Sequence, residues 1–197
     1  MHTNGAPLDD GAGARDPGRP DGVGAAPVTS VPALELGRYL GLWYEIGRLP
    51  MRHEVAGSHD VTAEYSLDED GSVLVDNRCL DAEGRPTRAV GTAETDPEHP
   101  GRLRVSFLPA GLRWIPFTRA DYWVLRIDPD YRVALVGTPD REYLWLLARS
   151  HEIPSEVEAA YLDSAVRQGF DLTGWIRPQQ SGGRVDDADL EAEPEAG

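Results

Sequence analysis

The sequence predicts an all-β chain: an eight-stranded antiparallel up-and-down β-barrel with one C-terminal α-helix packed on its outer wall. Three observations carry that expectation. Eight strand-like segments follow one another between Gly41 and Ser150, each closed by Gly, Pro or Asp punctuation and none interrupted by a helical pattern. The connections are too short for parallel crossovers, which need roughly a dozen residues each, so neighbouring strands must run antiparallel. Past Ser150 the apolar period changes from that of a strand to that of a helix.

In chain order, residues 1–33 are rich in Gly and Pro and carry hardly an apolar side chain larger than Val. Nothing in this arm offsets the entropy of ordering it, so it is expected to be disordered. The folded unit is expected over 34–180. Gly41, Leu42, Trp43, Tyr44, Glu45 and Ile46 open the first strand, which stops before Pro50. Val61, Ala63, Tyr65 and Leu67 alternate with Thr62, Glu64 and Ser66 in the second, and Asp70-Gly71 turns the chain. Val73, Val75, Asn77 and Cys79 share a face of the third strand. Ala89, Gly91 and Ala93 share a face of the fourth, where small side chains facing inward leave interior space. Leu103, Val105 and Phe107 alternate with Arg102, Arg104 and Ser106.

The last three strands, around Asp121–Asp128, Tyr131–Thr138 and Glu142–Ser150, are apolar on both faces. The inward parity of Tyr122, Trp123 and Trp145 is therefore open. Ser155 and Glu158 read as a capping box ahead of a stripe of Val157, Tyr161, Leu162, Ala165 and Val166, stopped by Gly169. Residues 171–180 read as a short final segment on the same wall, anchored by Trp175. Residues 181–197 read as an acidic disordered tail. On strand count alone a two-sheet sandwich also fits, but closure removes exposed edges.

The chain has 34 acidic against 19 basic residues, a net charge of −15. That balance repels nucleic acid and anionic membranes, so neither is an expected partner. The lone Cys79 excludes an intramolecular disulfide and a cysteine-rich metal site, and reads as a small hydrophobe. No export-signal pattern and no long apolar run is present, so no stable membrane insertion and a cytoplasmic location are expected. No hydrolase, metalloprotease, phosphate-loop or dinucleotide motif occurs, so no catalytic residue and no cofactor are assigned. His53 and His59 read as solvated loop histidines rather than as a metal pair, so no metal site is assigned.

Three further patterns bring a resemblance. Gly41-Leu42-Trp43 within GLWYEIGRLP, Asp128-Pro129-Asp130-Tyr131, and Arg149 after the last strand stand in order at barrel-strand spacing, with GFDLTGW closing the match. The chain resembles the lipocalins over residues 34–180, and within them the bacterial outer-membrane lipocalins and apolipoprotein D. The resemblance implies that Trp43 sits inside the closed end with Arg149 packed across it, and that the barrel holds a small lipophilic molecule such as a fatty acid or lysophospholipid. Lipid anchoring through an N-terminal cysteine is not carried over, because no Cys occurs before Cys79.

The candidate ligand-lining set follows from alternation with Trp43 as the inward reference: Glu45, Gly47, Ala63, Tyr65, Val75, Asn77, Ala89, Gly91, Val105 and Phe107. Trp114 and Phe117 join it from the loop after Phe107, with Tyr122 beyond. That loop either folds over the mouth as a lid or packs outside, and Arg113 or Arg119 can pair with an anionic headgroup. An inward Glu45 needs a partner such as an arginine near the closed end; otherwise it anchors ligand or acts as an acid. Burying about 300 Å² of apolar ligand yields on the order of 7 kcal/mol, enough for micromolar binding. The alternative is a cofactor-free cyclase or cycloaddition enzyme that folds an apolar polyene in the cavity. Oligomeric state is not legible.

Overall fold

The computed structural model describes residues 26–51, 57–107 and 119–192. Eight antiparallel strands close into a barrel in simple sequential order, with β1 paired to both β2 and β8. They are β1 (Gly41–Arg48), β2 (His59–Leu67), β3 (Val73–Leu80), β4 (Pro86–Thr95), β5 (Arg102–Ser106), β6 (Arg119–Ile127), β7 (Val133–Gly137) and β8 (Leu144–Ala148). A one-turn helix, α1 (Leu36–Tyr39), precedes β1, and α2 (Ser155–Arg167) follows β8. A short α3 (Asp187–Ala192) lies within the segment expected as tail.

Two apolar layers hold the molecule together, one on each face of the sheet. The interior layer joins Trp43, Tyr65, Val73, Val75, Ala93, Leu103, Val105, Val124, Ala134, Val136 and Leu147 with Tyr39 of α1. The exterior layer packs Leu125, Val133, Leu135, Leu144, Leu146 and Ala148 against Tyr161 and Ala165 of α2 and against Phe170. β7 is buried at every position because the core lies on one side of it and the helix on the other, which is why its letters are apolar throughout. The expected capping box does not form. Pro154 is the N-cap residue, with no side-chain cap bond, Ser155 lies inside the helix, and Val166 is 55% exposed rather than on the buried stripe.

One end of the barrel is sealed. The Arg149 guanidinium lies 3.8 Å from the centre of the Trp43 ring and donates to the carbonyls of Arg38, Tyr39, Leu40, Leu42 and Tyr131. Trp43 Nε1 donates to the Tyr39 carbonyl at 2.8 Å. A charged planar donor is suited to tie several carbonyls at once while its face covers an aromatic ring. Gly41 has φ +93°, and a Cβ there would lie 3.4 Å from the Arg149 guanidinium, so glycine fits both demands. Asp128 shapes the neighbouring turn, its carboxylate accepting from the backbone N–H groups of Asp130, Arg132 and Val133. Asp130 is exposed, and Tyr131 (φ +58°) is buried under Arg38 at 4.3 Å.

The boundaries of the folded unit shift outward at both ends. Within the arm expected to be disordered, Val28 is buried in the exterior layer, and Val31 N–H donates to the Val124 carbonyl. Within the expected acidic tail, Val185 is buried, Ser181 binds Asp60, and Asp187 pairs with Arg78 at 2.8 Å. The sheet supplies partners for these segments that their own composition does not reveal.

Candidate functional site

Strand register decides which side chains look inward. Trp43, Ala63, Asn77 and Ala89 are successive partners across β1 to β4. Tyr65, Val75 and Gly91 form the next row, toward the closed end, beginning at Gly41. Ala93 faces Val105, and Leu103 faces Tyr122. The parity that was open in the last strands is settled by packing: Tyr122 and Trp145 join the interior layer, whereas Trp123 lies outside beneath Arg102, 4.1 Å from its ring centre.

Gly47 does not face the interior, contrary to expectation. The β1–β8 register shifts between Glu45 and Gly47, so Ile46 is a bulge residue and the alternation resets. Gly47 then points outward, where a Cβ would come within 2.5 Å of the Trp175 ring. The same bulge returns Arg48 to the inward side beside Glu45. Arg48 donates to Glu45 Oε1 at 2.5 Å, with the two residues 3% and 5% exposed. The arginine partner expected near the closed end is thus three positions along the same strand and further toward the mouth. Burial, offset in part by Arg48, raises the Glu45 carboxyl above its ordinary range.

Three tyrosine hydroxyls meet above the sealed end. Tyr122 is the hub, sharing hydrogen bonds with Tyr39 at 2.9 Å and with Tyr65 at 2.6 Å. Desolvation pushes the Tyr65 hydroxyl up to about 12 and those of Tyr39 and Tyr122 well above their ordinary value, so all three stay protonated and neutral. From Tyr122 an aromatic run continues through Trp145 to Tyr143, with ring centres 6.1 Å apart at each step.

Packing differs along the barrel axis. Val73, Val75, Ala93, Leu103 and Val105 are buried solid near the closed end, but Ala63, Asn77, Tyr122 and Trp145 are only half-buried, and Ala89 is exposed although its row faces inward. Phe107 is 49% exposed, with its ring over Gly91, where a Cβ would lie 2.8 Å from it. Val75 and Val105 therefore belong to the packed floor. Arg113, Trp114 and Phe117 lie outside the described residues, as does His53, and the Arg119 side chain is likewise not described. Cys79 is half-buried, with its thiol 3.0 Å from the Thr87 hydroxyl. Sequence reasoning missed Arg48, because residues three apart on a regular strand face opposite ways. It missed Tyr39 as well, since that residue precedes the first strand.

A barrel plugged at one end by a tryptophan and an arginine, with accessible side chains on the inner wall of the other half, defines a class of β-barrel proteins that enclose small hydrophobic ligands. The family model for a lipocalin-like domain matches residues 34–180, and the chain belongs to this family, whose members bind such ligands. It is 41% identical over 169 residues to the outer membrane lipoprotein Blc of Escherichia coli (79% of this chain, 84% of that protein). It is 38% identical over 154 residues to temperature-induced lipocalin-1 of Arabidopsis thaliana (77% and 82%). Mouse apolipoprotein D is 29% identical over 143 residues. Among solved structures, lobster apocrustacyanin A1 superimposes with a TM-score of 0.62 at 14% identity, covering 80% of this chain and 86% of that one, a likeness of fold.

These comparisons correct one expectation. The bacterial relatives are outer membrane lipoproteins, a finding that overturns the cytoplasmic location expected from the sequence. No helix among the described residues is long and apolar enough to cross a membrane.

Proposed function

We propose that this protein binds an elongated lipophilic molecule of the fatty-acid or lysophospholipid class in the open half of the barrel, and carries it within the cell envelope. The observation that supports this most is the accessibility of inward-facing Ala63, Asn77, Ala89 and Phe107 above a floor that is packed solid. Small residues line β2 to β4, while Tyr122 and Trp145 face them from β6 and β8, making a slot with one aromatic wall. The half-buried Tyr122, linked to Tyr39 and Tyr65, puts a polar group on the slot wall for a ligand oxygen. Glu45, Tyr65, Asn77, Ala89, Gly91, Phe107 and Tyr122 are the proposed contacts. The relatives favour a binder over a cyclase, since they are lipocalins and lipoproteins.

The test is titration with cis-parinaric acid, a fluorescent polyene fatty acid. One equivalent should bind with micromolar affinity, and Ala89→Trp, which fills the slot at an exposed position, should weaken binding at least about tenfold while leaving the melting temperature unchanged. Equal affinity in the variant refutes the lumen as the site. Fractionation of the source cells checks the envelope assignment.

A further inference from the structure

The barrel wall is incomplete between β1 and β2. Their pairing ends at Tyr44 and Thr62, although β1 continues to Arg48 and β2 begins at His59. Both strands are irregular where they part: β1 at Glu45/Gly47, and β2 between His59 and Thr62, where Asp60 takes φ +49°. Beyond the split, β1 stays with β8 and β2 stays with β3, so a wedge-shaped gap opens toward the mouth. Backbone groups along such a gap need partners.

Residues 176–181 provide them. Arg48 and Ile176 exchange backbone hydrogen bonds at 2.9 and 2.8 Å. Asp60 N–H donates to the Gln179 carbonyl at 2.8 Å. The Gln180 side-chain amide donates to the Glu45 carbonyl at 2.8 Å and the Val61 carbonyl at 2.9 Å, stitching the two strands together through a single nitrogen. The Asp60 carboxylate receives Ser181 N–H and Oγ–H at 2.6 and 2.9 Å. These closing contacts are discrete hydrogen bonds around one isolated β-bridge, Arg48 to Ile176, in place of a continuous ladder. The Gln180 amide oxygen is buried with no partner among the described residues, so the closure is incompletely satisfied.

We propose that the β1–β2 gap is a lateral gate to the lumen, and that the strap formed by residues 176–181 opens to admit and release ligand. The Glu45–Arg48 pair stands just inside this gate, so a ligand crossing it meets a polar threshold before the aromatic slot. Distal anchors keep the strap tethered while it swings: Val185 is buried, and Arg78 holds both the Val185 carbonyl and Asp187. The inference rests on the lumen-binding reading above, and it requires a kinetic signature that affinity alone does not give.

Stopped-flow exchange of cis-parinaric acid reads that signature. Gln180→Ala removes both stitches and should raise association and dissociation rates together by about tenfold, leaving Kd nearly unchanged. A disulfide between Asp60→Cys and Ser181→Cys, in a Cys79→Ser background, should slow both rates at least about tenfold and restore them on reduction in the same sample. Saturable binding with rates indifferent to both changes overturns the gate and leaves the lumen site standing. Absence of saturable binding in the unaltered protein overturns both. A fall in affinity without a matched rise in both rates assigns Gln180 to wall structure and also overturns the gate.

Discussion

Arg48→Met is the most discriminating perturbation of the inner wall. The substitution keeps the length and most of the apolar stem but removes the charge that faces Glu45 at 2.5 Å, leaving a carboxylate in a position only 5% exposed. Breaking a buried pair from one side costs about 3–5 kcal/mol, far more than the net worth of the intact pair, because the desolvated charge stays behind. With a urea m-value of about 2 kcal/mol per M, the midpoint should fall by roughly 1.5–2.5 M at pH 7. Burial already raises the folded Glu45 carboxyl above its unfolded value of 4.5, and loss of Arg48 raises it further. A carboxyl with a raised folded value binds its proton more tightly in the fold, so the deficit is full at pH above both values and shrinks as pH falls through the raised one. Glu45→Met combined with Arg48→Met removes both charges and should recover most of the lost stability. Equilibrium urea unfolding followed by tryptophan fluorescence at pH 7 and pH 5 measures all of this. A loss under about 1 kcal/mol, or a double variant no more stable than the single one, refutes the assignment of the pair to the desolvated inner wall.

Three other outcomes follow from the geometry. Arg149→Ala releases five carbonyls and uncovers Trp43, so it should cost about 3 kcal/mol or more and shift Trp43 emission to the red, with Arg149→Lys intermediate because an ammonium cannot span the same acceptors. Gly47→Val drives a side chain into the Trp175 ring and should lower stability by about 1–3 kcal/mol, seen as a lower melting temperature, while Gly71→Ala, where a Cβ meets nothing within 4 Å, tests the backbone cost of positive φ alone. Absorbance titration of phenolate should show Tyr39, Tyr65 and Tyr122 silent through pH 10. The stability that their protonated state confers is complete below the unfolded value of 10 and is lost as pH rises through the Tyr65 value of about 12.

Much of the barrel is legible in the letters because strand alternation and turn chemistry are local. Val61 to Leu67 and Val73 to Cys79 alternate with Asp70-Gly71 between them, which dictates an antiparallel pair in one register. The inward row of Trp43, Ala63, Asn77 and Ala89 follows from the same parity. A bulge defeats this logic. The letters of β1 give no sign of a break after Glu45, and only pairing with β8 decides that one residue is skipped, moving Gly47 outside and Arg48 inside.

What the sequence determined by itself is the strand count, their antiparallel order, the helix that follows and the glycine, tryptophan and arginine of the sealed end, since each depends on periodicity or on a short motif. Tertiary structure alone decided the facing of Tyr122, Trp123 and Trp145, the skipped residue in β1, and the docking of residues 176–192 along the wall. In the last strands both faces are buried, so polarity carries no sign of direction. The docked segment is polar and acidic, and its order comes from strand carbonyls, Asp60 and Arg78, partners more than 100 positions away that no local pattern announces.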